Sequence, residues 1–379
     1  MKSGNTALLP TMAMIVSASL VGLITGYTVP LISLNLSQQN VSVFFIGLLG
    51  ALPAAGMMLS SFLTPSICRY MEIKPLLALS LILLLLSTFL SCRISDPFWL
   101  AIPRVTTGCA AGIIVVLGES WVTGRSSTRN KAMLTGIYTA CFTGFQLAGP
   151  LLISLGEDIQ VPVLYFLSAI TAGCLALLTT LPDGSREQLA AHERWRTLFP
   201  YLPVLGSGVL CFSFFDASIL SLLPLYGIEK GLSAALAVLI VTVILAGDAL
   251  FQTPVGWLAD RLGIRRIHIG CGGIFCLMLM LLPFTLHSQP VLMAICVVLG
   301  AAGGALYTLS LVRAGNLFSG QKLIMMNAVL GLVWSAGSIA GPAVSGIVIR
   351  LAGYDALIVT LFFTGAAFIF IQCVFCKRR

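Results

Sequence analysis

The residues of this sequence best suited to proton chemistry are ionisable side chains inside long apolar stretches. Once the polar breaks are set aside, the ionisable residues that remain are Arg104, Glu119, Asp216 and Asp248. Desolvation disfavours the charged form of a buried carboxyl group, so a buried acid can take up and release a proton. Ionisable residues within apolar spans are functional by default. We therefore treat these positions as candidate proton-coupling residues.

Asp248 is the strongest of these candidates. It lies about 18 Å of helix from Asp260, at about 1.5 Å per residue, which places it near the middle of an apolar segment. Gly247 beside it opens space, and Phe251 and Gln252 follow on the next turn. A structural role, in which Asp248 is hydrogen-bonded to a neighbouring helix, is the alternative.

The other ionisable residues have competing interpretations. Arg104 lies about a turn and a half from the outer end of its span, so its guanidinium could snorkel to the membrane surface instead of acting in transport. Glu119 lies about 22 Å along the same helix, too far to pair with Arg104, and a latch to a loop arginine competes with a proton role. Asp216 follows an aromatic run ending at Phe215, which suits a cationic or amphipathic ligand but equally suits packing.

The elements that must position these residues are membrane helices. The chain has 379 residues, of which 58% are hydrophobic and 9% charged, and its mean hydropathy is +1.03. Soluble proteins are about a quarter charged, so this chain could not cover its surface in water. A span needs roughly 20 apolar residues. The apolar runs predict an all-α membrane protein with twelve spans, near 9–35, 42–67, 75–94, 98–122, 132–155, 161–181, 199–227, 233–258, 267–286, 290–312, 323–349 and 355–376.

The charges predict the domain organisation and the orientation. The one long polar segment, 182–198, separates an N-terminal six-helix bundle (1–181) from a C-terminal six-helix bundle (199–379). The basic residues cluster in alternate loops, and loops rich in Lys and Arg stay in the cytoplasm. Both termini and the linker are therefore expected to be cytoplasmic. The net charge of +8 reflects this topology and does not indicate a nucleic-acid partner.

The two halves repeat each other at one offset of about 192 positions. The matched segments are 108–112 with 300–304, 64–74 with 256–266, and Gly149-Pro150 with Gly341-Pro342. Chance matches would not share one offset, so we infer a duplication of six helices with the same orientation. Parallel repeats of this kind occur in transporters, whose substrate site lies between the halves near the bilayer midplane.

The turn Gly256-Trp-Leu-Ala-Asp260-Arg261-Leu-Gly263-Ile-Arg265-Arg266 resembles the signature of the major facilitator superfamily, and the resemblance extends over essentially the whole chain. Its glycines permit close helix approach and a tight turn, and Asp260 can pair with an arginine or a helix N-terminus. The resemblance implies a conformational latch for the outward-facing state; the alternative is a charged turn that only sets topology. The first-half copy keeps the bases but has Cys68 where the acid should be.

Three further segments carry the resemblance. Arg104-Val-Thr-Thr-Gly108-Cys-Ala-Ala-Gly112 is similar to an element that, in relatives, implies proton transfer or substrate binding by the arginine. Gly118-Glu119-Ser120-Trp121 resembles small twelve-helix bacterial exporters of drug or sugar type. The third is similar to the G-P motif of antiporters and modestly favours export; its helix-packing and bending residues in the two halves are Gly144, Gly149 and Pro150, and Gly337, Gly341 and Pro342.

These observations predict a proton-coupled antiporter that exports a small organic molecule by alternating access, in the bacterial inner membrane. A proton-coupled importer of a metabolite or metal chelate is the alternative, and a non-transporting membrane receptor ranks low. We expect a monomer without a cofactor. The sequence has no P-loop, so we do not expect ATP to drive transport in this chain, and the histidines (His192, His268, His287) lie at or near loops and predict no metal site. The four ionisable residues are scattered in depth, so we expect no enzymatic activity. The candidate cavity residues are Tyr27, Asn35, Tyr138, Gln146, Phe215, Tyr307 and Trp334.

Overall fold

The predicted all-α architecture of twelve helices is confirmed. A computed structural model describes residues 8–39, 41, 43–125, 130–154, 160–181 and 195–375. Its helices are α1 Leu8–Gln38, α2 Val43–Tyr70, α3 Ile73–Arg93, α4 Pro97–Arg125, α5 Lys131–Ser154, α6 Gln160–Leu178, α7 Leu202–Glu229, α8 Ala234–Leu262, α9 Ile264–Leu281, α10 Gln289–Leu317, α11 Gly320–Ala352 and α12 Asp355–Phe375. Most of the expected linker, 182–194, lies outside the described residues, and short 3₁₀ turns lead into α7.

The helices are suited to a lipid environment. Within the described residues, ten of them are long and apolar enough to cross a membrane, and α6 contributes a shorter apolar stretch, Pro162–Leu178. Their outward faces carry large apolar side chains such as Leu250, Phe363 and Phe370, which are 65–70% exposed. Soluble proteins rarely expose contiguous apolar surface on this scale, so these faces are consistent with contact to lipid.

The chain forms two compact units. The first comprises residues 1–125, 141–193 and 318–332, and the second comprises 126–140, 194–317 and 333–379. Helices α5 and α11 therefore contribute to both units. The start of α5 belongs to the second unit, and the start of α11 belongs to the first.

Repeated glycines allow the closest helix packing within each unit. In the first unit, a Cβ at Gly108 of α4 would lie 2.7 Å from Cα of Pro53 on α2. In the second unit, a Cβ at the matching Gly300 of α10 would lie 2.7 Å from the carbonyl carbon of Ile244 on α8. Both distances are too short for a real Cβ contact, so the glycines set the separation of these helix pairs.

Candidate functional site

The carboxylate of Asp260, on the last turn of α8, caps helix α5. Oδ1 accepts a hydrogen bond from the backbone N–H of Ala132 at 3.0 Å, and Oδ2 accepts one from Met133 at 2.9 Å. Because α5 begins at Lys131, these N–H groups have no partner within their own helix. A carboxylate at a helix N-terminus is stabilised by the helix dipole and by charge-assisted hydrogen bonds. Asp260 therefore pairs with a helix N-terminus, one of its two expected partners.

Close backbone packing and a lysine reinforce the cap. A Cβ at Gly256 of α8 would lie 2.7 Å from the carbonyl carbon of Ala132, so only glycine allows this approach. Nζ of Lys131 donates to the carbonyl of Gly315 at 2.7 Å. That carbonyl is in the last turn of α10, where a cation is favoured by the helix dipole. The start of α5 is thus attached to both α8 and α10 within the second unit.

The remaining residues of the turn motif have simpler roles. Gly263 has φ +97°, a conformation that glycine adopts readily and other residues rarely, and it allows α9 to begin directly after α8. The guanidinium of Arg261 lies over the Trp257 ring at 4.0 Å. Arg265 and Arg266 are exposed. The acid of the motif makes the inter-helix contact.

Asp248 begins a buried polar chain within the second unit. Nε2 of Gln252 donates to Oδ1 of Asp248, and the hydroxyl of Thr308 donates to Oε1 of Gln252. The hydroxyls of Thr308 and Thr139 are 3.1 Å apart. Asp248 is 3% exposed and Thr308 is 1% exposed. The chain therefore runs from α8 through α10 to α5, the helix that Asp260 caps.

A glycine makes room for Asp248. A Cβ at Gly304 would collide with Oδ1 of Asp248 and with Nε2 of Gln252. Gly304 is the repeat counterpart of Gly112. The sequence shows this match but does not show that the glycine makes room for Asp248. Sequence reasoning missed the roles of Gly304, Gln252, Thr308 and Thr139. The spacing of four between Asp248 and Gln252, which places both on one helix face, was the available signal.

Arg104 is enclosed within the first unit and is only 1% exposed. Its Nε donates to the carbonyl of Leu49 at 3.4 Å, and its Nη1 donates to the hydroxyl of Thr28 at 3.3 Å. Helices α1, α2 and α4 therefore meet at this side chain. Such burial argues against snorkelling. A buried cation held by neutral acceptors is energetically costly, which favours a functional reason for keeping it.

The other ionisable candidates differ in their surroundings. Glu119 is 3% exposed and lies on α4 in the first unit. Asp216 lies on α7 in the second unit and is partly exposed. Its neighbour Phe215 packs edge to face against Phe275 at 5.0 Å inside the apolar core of the second unit. Core packing accounts for the position of Phe215.

The remaining cavity candidates are divided between the units. Tyr27 and Tyr138 are buried, and Tyr307 stacks at a tilt on Phe212 with ring centroids 5.6 Å apart. The partly exposed candidates are Asn35, Gln146, Tyr307 and Trp334. Tyr27, Asn35 and Gln146 belong to the first unit, and Tyr138, Tyr307 and Trp334 belong to the second.

The two G-P segments act mainly in packing. A Cβ at Gly149 would lie 2.7 Å from Cα of Gly26 on α1, and one at Gly341 would lie 2.8 Å from the hydroxyl of Ser218 on α7. A Cβ at Gly337 would lie 3.1 Å from the carbonyl oxygen of Leu210, whereas Gly144 faces open space. Pro342 lies inside α11. Pro150 lies in α5, and its side chain is outside the described residues.

His268 belongs to a buried polar cluster that sequence reasoning missed. Its Nε2 lies 3.0 Å from the carbonyl of Leu306, and its Nδ1 lies 3.4 Å from Nη1 of Arg313. Arginine can only donate, so Nδ1 accepts and the ring is neutral with its proton on Nε2. Arg313 also donates to Gln372 of α12 at 2.6 Å. The cluster joins α9, α10 and α12 and serves to hold the second unit together.

Apolar helices with a repeat between the two halves, buried charges and a capped inter-helix turn are typical of membrane transporters. The family model of the Major Facilitator Superfamily matches residues 14–246 and 205–379. The chain belongs to the major facilitator superfamily, as its turn motif implies.

Similar proteins agree with this assignment. YfkF of Bacillus subtilis (strain 168), an uncharacterized MFS-type transporter, is 24% identical over 353 residues, which cover 88% of this chain and 87% of the relative. The Escherichia coli fucose:proton symporter FucP aligns with a TM-score of 0.75 at 14% identity, over 98% of this chain and 99% of FucP. The proton:xylose symporter XylE gives 0.72 at 15% identity, over 97% of this chain and 95% of XylE. At these identities the two structures establish the fold.

Proposed function

We propose that this transporter is coupled to protons and exports a small organic molecule by antiport, through alternating access. The observation that carries the proposal is the buried chain from Asp248 to Thr139. It links a carboxylic acid inside α8 to α5, whose first turn is held by Asp260. An acid with this connection can transmit a change of its charge to the helix cap.

The coupling step follows from hydrogen-bond chemistry. An ionised Asp248 accepts the Gln252 amide through a charge-assisted hydrogen bond, which is roughly twice as strong as a neutral one. Protonation of Asp248 removes the charge, weakens this bond and converts the carboxylate into a carboxylic acid that can donate a hydrogen bond. The Gln252 amide then reorients, and the hydroxyls of Thr308 and Thr139 reorient with it. Protons and substrate bias the conformational equilibrium by their different affinities for its states.

The proposed orientation gives the Asp260 cap its role. By the distribution of Lys and Arg, both termini and the α8–α9 turn face the cytoplasm of a bacterial cell. The cap then stabilises the start of α5 on the cytoplasmic side, and its release accompanies opening toward the cytoplasm. Arg104 of the first unit is the second proposed coupling residue. Within the described part of the chain its hydrogen bonds go to neutral acceptors, and such burial is costly unless transport uses the charge.

One observation supports an amphipathic cation as the exported molecule. Asp216 is partly exposed and lies on α7 one turn from Phe212, which stacks near Tyr307. An acid beside aromatic rings favours a cationic ligand.

Proton-coupled import is the second candidate, and a specific observation favours it. FucP and XylE, both similar to this chain over nearly their whole length, are proton symporters for sugars. Their identity to this chain is too low to transfer the substrate, so a sugar is a hypothesis to be tested beside the cation.

Proteoliposomes that contain a pH-sensitive dye separate the candidates. An imposed pH gradient that collapses on addition of ethidium, an amphipathic cation, supports proton antiport. A gradient that responds to fucose or xylose, with the sugar entering alongside protons, supports import. Movement of ethidium or sugar without any proton movement contradicts proton coupling altogether. Liposomes without protein provide the control for passive leakage.

A further inference from the structure

The first repeat lacks the acid that caps α5 in the second. At the repeat offset of about 192 positions, Cys68 matches Asp260, and Ile324 and Met325 match the capped residues Ala132 and Met133. Cys68 is buried and is not in a disulfide. A contact equivalent to the Asp260 cap would therefore need a different chemical basis in the first unit.

Helix α11 begins before the position that corresponds to the start of α5, so it does not require an acid to cap the matching residues. It starts at Gly320, about one turn before the repeat position that matches the start of α5. Gly320 has φ +58°, which suits a glycine at this entry to the helix. Only the first four N–H groups of a helix lack internal partners. Those of Ile324 and Met325 are consequently satisfied within α11, and an acid at position 68 would find nothing to cap there.

Gln321 provides the contact instead. It lies in the first turn of α11, is 7% exposed, and its Nε2 donates to the carbonyl of Pro65 on α2 at 2.8 Å. A second amide follows on the same helix, where Nδ2 of Asn327 donates to the hydroxyl of Ser120 on α4 at 2.9 Å. Both residues belong to the first unit, as do Pro65 and Ser120. Helix α11 is the donor here, as α5 is in the Asp260 cap. The difference is that α11 donates through side-chain amides, whereas α5 donates through backbone N–H groups of its first turn.

The contact of α11 with α2 and α4 is incompletely packed, as expected of a contact that separates during transport. A cavity of about 60 Å³ lies beside it, lined by Ser120, Trp121, Leu323, Ile324 and neighbouring residues. About 10–15 Å³ is enough to hold one water molecule, so the cavity has room for water. Oδ1 of Asn327 is buried without a hydrogen-bond partner among the described residues. An unsatisfied buried oxygen lowers the cost of separating α11 from α4.

We propose that Gln321, assisted by Asn327, is a positioning residue that holds α11 to α2 and α4 as the uncharged counterpart of the Asp260 cap. The transporter then has one latch that depends on a charge and one that depends on neutral amides. The latch function rests on the proposed alternating access, but the contact itself does not. Salt screens the charged latch and leaves the neutral one unaffected.

Hydrogen exchange measured by mass spectrometry on the purified full chain tests this proposal. Gln321→Met keeps the approximate size of the side chain, removes the donor and adds no charge to the first turn of α11, and we expect amide exchange at residues 324–327 to accelerate about fivefold. Gln321→His, measured at about pH 8 where the ring is neutral, restores an N–H donor and is expected to exchange at close to the wild-type rate. Gln289→Met, the loss of an exposed glutamine at the start of α10, is the matched control. Wild-type exchange in Gln321→Met, or equal acceleration in Gln321→His, overturns the proposal.

A second measurement needs no variant. When the wild-type protein is moved from about 50 to about 500 mM salt, exchange at residues 132–134 should accelerate because the Asp260 cap is screened. Exchange at residues 324–327 should not change. An equal response at the two sites overturns the distinction between the latches. Neither measurement uses substrate or a proton gradient, so a failure of proton coupling in proteoliposomes would leave these outcomes intact.

Discussion

The carboxylate of Asp260 lies 2.9 Å from the backbone nitrogen of Met133, which joins the end of α8 to the start of α5. The same two helices are joined again further along, through Gln252, Thr308 and Thr139. Asp248 lies at the far end of this second connection. A change in the charge of Asp248 therefore acts on a helix that the Asp260 cap also holds.

Replacing Asp260 by alanine should release the first turn of α5. Loss of a helix cap costs about 1 kcal/mol, so exchange of the Ala132 and Met133 amides should accelerate about fivefold. Hydrogen exchange with fragmentation to single-residue resolution measures this directly. Asp355→Ala is the control, since Asp355 is an exposed acid at the start of α12 that pairs with Lys230 at 2.7 Å. An unchanged rate at Ala132 and Met133 in Asp260→Ala would refute the cap.

Gly304→Ala should destabilise the second unit by displacing Asp248. The added Cβ meets the carboxylate of Asp248 and the amide of Gln252, and such overpacking costs about 1–3 kcal/mol. A lower Tm in detergent, together with impaired proton movement, is the expected result. Gly273→Ala is the matched control, because a Cβ at that helical position of α9 meets nothing within 4 Å. Equal Tm values for the two variants would remove the proposed steric role of Gly304.

The pair Thr139 and Thr308 should show energetic coupling. Each Thr→Val change removes a hydroxyl from the buried chain at nearly constant volume, and residues in contact show interaction energies of about 0.5–3 kcal/mol. A double-mutant cycle on the free energy of unfolding in mixed micelles measures the coupling. Thr242, whose hydroxyl donates to Val238 within its own helix, supplies a control cycle with Thr308. Additive effects in the Thr139–Thr308 cycle would mean that the 3.1 Å contact contributes no interaction energy.

Arg104→Gln should abolish the pH dependence of transport while the chain still folds. Glutamine can still donate to Thr28 or Leu49, so the loss isolates the role of the charge. Flux of ethidium or sugar in proteoliposomes at several pH values measures the effect. Arg93→Gln is the control, because Arg93 is exposed at the end of α3 with its guanidinium 5.3 Å from the Phe89 ring. A pH profile that Arg104→Gln leaves unchanged would exclude Arg104 from coupling.

The helices were predictable because each is a long apolar run between polar breaks. The run near 75–94 became α3 at Ile73–Arg93, within two residues at each end. The run near 323–349 became α11 at Gly320–Ala352, and the missed first turn has a physical reason. Gln321 and Lys322 look like loop residues in the sequence, but Gln321 is buried by its hydrogen bond to Pro65. A contact 256 residues distant in sequence gives no local signal.

The candidate site was predictable only in part. The motif indicated that Asp260 would pair with an arginine or a helix N-terminus, but nothing in the sequence identified α5 as its partner. Asp248 stood out as an acid in an apolar span, whereas Thr139 and Thr308 resemble many other polar residues that bond within their own helices. The glycine at position 304 was visible as a repeat match, yet its function depends on the side chain that fills the space beside it.

The most direct test of proton coupling through Asp248 compares wild-type protein with Asp248→Asn in proteoliposomes. Asparagine keeps the size of the side chain and the oxygen that accepts from Gln252, but it does not titrate. We predict that ethidium drives proton movement through the wild-type protein, and that Asp248→Asn carries ethidium down its concentration gradient without moving protons. Proton movement in Asp248→Asn at the wild-type rate would contradict the proposed mechanism and leave Asp248 a packing role.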